Sequence, residues 1–149
     1  NIVLELGVGT GAITRFLRGA MPNRESYLGI ELDGDLVKTL NKNFPDMNII
    51  QGNAMNAYSI HQELGLGKVR YLICCLPFVS LPKEVSESVL TEIARFMDEG
   101  CELRLFQYAH GYFLPPAIKL REYLKGRYGK SHRSPLVFKN VPPAFTLTW

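Results

Sequence analysis

Several short stretches of this chain carry residue types that do chemistry, and each follows an apolar run. The first is Glu5-Leu6-Gly7-Val8-Gly9-Thr10-Gly11, three glycines at alternate positions behind a carboxylate. Glycines here permit a tight turn and close approach of backbone to a ligand, and the N–H groups of a following helix start are free to donate. Gly7, Gly9 and Ala12 also satisfy the GxGxxG/A dinucleotide pattern. Glu5 argues against that reading, because a carboxylate at the mouth of the turn repels a pyrophosphate and suits a cation. Glu31 lies 20 residues after Gly11, where a carboxylate accepts hydrogen bonds from both ribose hydroxyls of an adenosine-containing cofactor. In Gln51-Gly52-Asn53-Ala54, the Asn53 side-chain carbonyl is a neutral hydrogen-bond acceptor.

Two further stretches carry unusual residues at the ends of apolar runs. Cys74-Cys75-Leu76-Pro77-Phe78 ends one apolar run, and Phe106-Gln107-Tyr108-Ala109-His110-Gly111 ends another. His110 is of the right type to take a proton or to cap the strand, while His61 and His132, with no motif around them, read as surface residues. Phe78, Tyr108, Tyr112, Phe113 and Phe145 are aromatic walls suited to a cationic group, with Phe145 read as core. Cation–π attraction contributes about 0.5 to 2 kcal/mol per good ring.

Positioning these residues needs alternating strands and helices, and the periodicity supplies them. Strands are expected at Ile2–Leu6, 27–30, 47–50, 69–76 and 103–108. Helices are expected where Ala12, Ile13, Phe16, Leu17 and Ala20 recur, where Leu36, Leu40 and Phe44 follow an Asp33 cap, along Val85, Val89, Ile93 and Met97, and over 118–128. Residues 136–139 and 145–149 are separated by a link too short for a helical crossover, so they are expected to be a closing antiparallel pair. The expected fold is α/β, Rossmann-like and doubly wound, with a mostly parallel seven-stranded sheet and an antiparallel last strand. Ligands of such sheets sit beyond the carboxyl ends of the strands, which is where the unusual residues fall.

With 149 residues, 46% apolar and 21% charged, the chain reads as one globular domain, 1–149. No apolar run approaches the roughly 20 residues of a membrane-crossing helix, and nothing resembles a signal peptide. Because Ile2-Val3-Leu4 is strand-like from the outset, a preceding N-terminal segment is expected to be missing. Cys74, Cys75 and Cys101 form no CxxC, so neither a disulfide framework nor a metal site is expected, and a reducing, cytoplasmic compartment is. Residues 1–116 carry 10 Lys and Arg against 13 Asp and Glu, whereas 117–149 carry 7 against 1. That asymmetry suits a phosphate-bearing partner, nucleic acid or anionic lipid, or else a solvated helix face.

Glu5 to Gly11 matches in full the acid-x-Gly-x-Gly-x-Gly motif of the class I methyltransferases, which the sequence resembles. The resemblance implies S-adenosylmethionine as cofactor, held by Glu5, Gly7, Gly9, Thr10, Gly11, Glu31, Asn53 and Ala54. Asn53 departs from the family's Gly-Asp-Ala motif, which puts cofactor affinity in question. Adenine amino-methyltransferases, including the ribosomal RNA dimethyltransferases, carry Asn or Asp, a spacer, Pro and an aromatic after the fourth strand, and Cys75 breaks that pattern. Residues 74–82, Gln107 to Gly111 and Asn140-Val141-Pro142-Pro143-Ala144 more closely resemble the bacterial phospholipid N-methyltransferases. There Cys74 stands at a cofactor-side Ser, and His110 at a Tyr. The other reading of Cys74 and Cys75 is as small buried strand residues.

This resemblance implies an N-methyltransferase acting on a phospholipid amine such as phosphatidylethanolamine. Its catalytic pair would be His110 and Tyr108, and its acceptor cleft Leu76, Pro77, Phe78 and Tyr112. Lys119, Arg121, Lys125, Arg127, Lys130 and Arg133 would meet anionic headgroups on the inner face of the membrane, with the protein attached peripherally. The alternatives are a ribosomal RNA adenine N-methyltransferase using the same cations on phosphates, and a non-catalytic cofactor-binding module of this fold.

Overall fold

The computed structural model describes residues 1–137 and 143–149. Its centre is a strand with nothing polar but Glu5: β1 (Ile2–Leu6), flanked by β2 (Tyr27–Glu31) and β4 (Val69–Cys74). With β3 (Ile49–Gln51), β5 (Glu102–Tyr108), β6 (His132–Arg133) and β7 (Ala144–Thr148), these form one sheet in the order β3-β2-β1-β4-β5-β7-β6. The first five strands are parallel, and β7 runs antiparallel to both β5 and β6. The strand order reverses between β1 and β4, which opens a crevice at their carboxyl ends.

Strand alternation sorts the core into two apolar clusters. Leu28 and Ile30 face one, with Phe96, Ile93, Leu120 and Leu124; Tyr27 faces the other, with Val8, Leu40 and Phe44. The first is covered by α3 (Ala57–Leu64), α4 (Lys83–Asp98) and α5 (Pro115–Tyr128), and the second by α1 (Thr14–Arg18) and α2 (Gly34–Asn43). As expected from the sequence, Asp33 caps α2, its carboxylate accepting from Asp35 N and Leu36 N.

The structure departs from the sequence expectations at the first helix, at His61 and at two unforeseen elements. The first helix is only five residues long and turns Thr14 inward rather than Phe16, which is 79% exposed. The turn explains this: Gly11, at φ +81°, sets the helix phase so that Thr14 lies above Glu5. Helix α3 has no counterpart in the sequence reading. His61 on it is 5% exposed, with Nε2 2.9 Å from the Gly67 carbonyl and its ring edge-on to Phe96, so it is a core residue. The sixth strand is the exposed pair His132–Arg133, which the sequence reading did not foresee. Val137 makes a single antiparallel bridge to Ala144, and residues 138 and 139 lie outside the described residues.

Candidate active site

The chain leaves β1 through three glycines in the left-handed region, Gly7 at φ +75°, Gly9 at +59° and Gly11 at +81°. A Cβ on Gly7 would lie 2.7 Å from Leu76 Cδ2, and one on Gly11 would lie 2.6 Å from Phe44 Cε2, whereas one on Gly9 meets nothing within 4 Å. Gly7 and Gly11 therefore serve the packing of the turn. Gly9 faces open space, where a bound group can approach backbone. Glu31 braces this cradle: Oε2 accepts from Gly9 N at 2.7 Å and Oε1 from Asp33 N at 3.0 Å.

Glu5 does not stand at the mouth of the turn; it is 0% exposed beneath it. Its Oε2 accepts from the Tyr27 hydroxyl at 2.6 Å and the Thr14 hydroxyl at 2.9 Å, while Oε1 is buried without a partner among the described residues. Burial pushes its carboxyl up to about 7, the two hydroxyl hydrogen bonds pull it partly back, and the Glu31 charge adds a further rise. Tyr27 reaches Glu5 by lying over Gly29, which pairs with Glu5 across the strands. A Cβ on Gly29 would sit 2.7 Å from the Tyr27 hydroxyl. Gly29→Ala is thus expected to cost about 1–3 kcal/mol by overpacking, read as a lowered midpoint in denaturant with an unchanged slope. Sequence reasoning missed both hydroxyls. The signal was a Tyr-x-Gly strand beside a strand carrying a lone Glu.

Asn53 opens a 3-10 turn over Ala54–Asn56, and its Oδ1 already accepts from Met55 N at 2.9 Å. Ala54 is half-buried beside it. The side chain of Cys74 lies wholly in the core, and burial pushes its thiol up to about 12, so the expected contact of this side chain with cofactor is not available. Cys75 is half-buried, its backbone N donating to Leu6 O at 3.0 Å. Burial raises its thiol too, so both cysteines behave as small strand residues.

The loops after β4 and β5 converge. Leu76 packs against Gly7, Val79 lies 3.6 Å from the Cβ position of Gly111, and Pro77 is exposed between them. Tyr108 and His110 stack at 5.7 Å on the exposed side of a 3-10 turn over Ala109–Gly111. Phe78 is buried, and Phe145 is core as expected. Tyr112 belongs to an aromatic cluster, 5.1 Å from Phe145 and 5.1 Å from Phe113, with the Arg121 guanidinium 3.7 Å over its ring. An open cavity of about 520 Å³ beside Tyr58, His61 and Lys68 lies at the amino ends of β4 and β5, away from all these residues.

The cations are partly spoken for. Arg127 pairs with Asp98 at 2.5 Å, Arg121 stacks on Tyr112, and Arg133 lies near the Tyr112 and Phe145 rings. Lys119, Lys125 and Lys130 are exposed and make no ion pair among the described residues.

Residues 3–100 match the family described as methyltransferase domain. Ornithine lipid N-methyltransferase of Singulisphaera acidiphila is 24% identical over 100 residues, which are 65% of this chain and 52% of that protein. The chain thus spans about half the length of the curated relative it matches. Among solved structures, a ribosomal RNA methylase from Streptococcus thermophilus superposes with TM-score 0.67 at 16% identity, over 99% of this chain and 85% of that one. Magnesium protoporphyrin IX methyltransferase from Synechocystis, solved with bound S-adenosylmethionine, gives 0.67 at 12% identity, over 99% and 68%. Both show the fold. The cradle fits that cofactor, since Gly9 leaves open backbone above the turn and the orphaned Glu5 Oε1, with Glu31 nearby, favours a cation and repels a pyrophosphate. Fold and family match agree that the chain belongs to the methyltransferase domain family and has the class I fold.

Proposed function

We propose that the protein methylates the amine of a lipid, such as phosphatidylethanolamine, at an anionic membrane surface. The observation that carries this reading is the connection from β5 into α5, where Phe113 is 79% exposed beside exposed Leu114 and Ile118. Lys119 and Lys125 follow on the same helix, a combination that suits the headgroup boundary of an anionic bilayer. The same connection carries Tyr108 and His110. Cys75, in place of the Asn or Asp of adenine chemistry, and the curated relative named for an ornithine lipid support the same choice. Among the described residues no helix is long and apolar enough to cross a membrane; the attachment proposed is peripheral.

S-adenosylmethionine, when bound, supplies an electrophilic methyl group on a sulfonium. In this reading the backbone of Gly7, Gly9, Thr10 and Gly11 holds it, Glu31 takes the ribose hydroxyls, and Asn53 and Ala54 flank the adenine. Glu5 supplies negative charge from beneath the turn. Leu76, Pro77 and Phe78 wall the acceptor, while His110 accepts the proton lost by its nitrogen and Tyr108 holds the imidazole by stacking. Tyr112 backs the cleft from its aromatic cluster. Most of the rate then comes from alignment and deprotonation.

In vesicle assays His110→Ala is expected to lower kcat about 100-fold or more while leaving affinity for S-adenosylhomocysteine within about twofold. Lys119→Ala with Lys125→Ala is expected to weaken sedimentation with phosphatidylglycerol-containing vesicles about tenfold at low salt and less at high salt. Salt-insensitive vesicle binding, or unchanged turnover without His110, would remove these roles.

A further inference from the structure

We propose that the groove between α4 and α5 holds one acyl chain of the acceptor, with the Ser86 hydroxyl donating to the ester or amide carbonyl of that chain. This rests on the lipid reading above. The two helices are clamped at their carboxyl ends, where Arg127 pairs with Asp98 at 2.5 Å and the Tyr128 hydroxyl donates to Asp98 at 2.8 Å. Toward their amino ends they enclose a groove of about 370 Å³, within the range of ligand pockets.

Its walls are hydrocarbon and aromatic: Phe78, Leu81 and Leu90 on one side, Leu120 and Tyr123 on the other. Pro115 and Pro116 close the α5 side, and having no N–H they remove two of the donors that would favour an anion at this helix start. Against that apolar lining stands one orphan. Ser86 lines the groove, and its buried Oγ has no hydrogen-bond partner among the described residues. A buried hydroxyl left unpaired is destabilising, and a carbonyl on an otherwise apolar ligand satisfies it. Lys83 and Lys119, both exposed, supply charge for an anionic headgroup, with Glu87 3.7 Å from Lys83 as the one acid present. Phe78 begins the groove and directly follows Pro77 of the acceptor loop, so a chain lying there leaves its headgroup at the loops after β4 and β5.

The test is calorimetry on the protein saturated with S-adenosylhomocysteine. Dodecanoyl lysophosphatidylethanolamine, below its micelle concentration, is compared with glycerophosphoethanolamine, the same headgroup without a chain. The chain-bearing probe is expected to bind at least about tenfold more tightly. Leu90→Trp, which fills the groove, is expected to reduce that advantage below about threefold with cofactor affinity unchanged, and Ser86→Val to reduce it about threefold to tenfold. Should Leu90→Trp fail to fold, judged by lost S-adenosylhomocysteine binding, Ser86→Val decides. A chain advantage that survives in the folded variants, or none in the wild type, overturns the groove; methylation of aminophospholipid by the same wild-type protein would then leave the lipid reading standing. If neither probe binds and no lipid is methylated, that reading fails as well.

Discussion

Glu31→Ala is expected to weaken S-adenosylhomocysteine binding by about 1 to 3 kcal/mol, a loss set by two effects acting together. In the proposed reading the carboxylate meets the ribose hydroxyls, and it also fixes the cradle through Gly9 N at 2.7 Å. Glutamine does not rescue it fully, because its amide nitrogen would face either the N–H of Gly9 or that of Asp33, each now accepted by one carboxylate oxygen. NAD is expected to bind more weakly than S-adenosylhomocysteine to the wild type, since its pyrophosphate would lie over Glu5 and Glu31. Calorimetry gives both numbers. Tighter binding of NAD, or an unaffected Glu31→Ala variant, would remove the cofactor geometry described above.

The second large effect is one of pH. The Glu5 carboxyl is raised from 4.5 to about 7 in the folded chain, first by burial. Between those values the folded protein keeps a proton that the unfolded chain releases, so stability is expected to fall as pH rises from 4.5 to 7 and to level off above. The total change is about 3 kcal/mol, and the ligand-free protein is the state to measure. Glu5→Gln can still accept from the Tyr27 and Thr14 hydroxyls, so it is expected to flatten this dependence and to be the more stable protein at pH 8. It should also bind S-adenosylmethionine about tenfold more weakly there, because the buried negative charge is gone. Urea titrations across pH, paired with calorimetry, read both. A wild type whose stability is constant from pH 4.5 to 7 would contradict the buried, orphaned carboxylate.

Much of this frame is written locally. The glycine turn, the alternation that yields five parallel strands, the Asp33 cap and the antiparallel last strand all come from residues close in sequence. What was illegible comes from pairings between distant segments. Glu5 reads as a mouth residue until Tyr27 and Thr14 are seen to enclose it. The six cations read as one basic face until Arg127 finds Asp98 and Arg121 finds Tyr112. Helix α3 escapes because only Ala57 and His61 on it are buried, a pattern too sparse to stand out. The sixth strand is polar and two residues long, so hydropathy points to the apolar residues after it instead.

The central claim, methyl transfer to a lipid amine, is tested most directly by one incubation. The protein and methyl-labelled S-adenosylmethionine are presented in parallel with phosphatidylethanolamine vesicles containing phosphatidylglycerol and with structured total RNA. Label is expected in the vesicle lipid, on the amine headgroup, and at background in the RNA. Label in RNA with none on the aminophospholipid would contradict the lipid assignment while leaving the methyltransferase family in place.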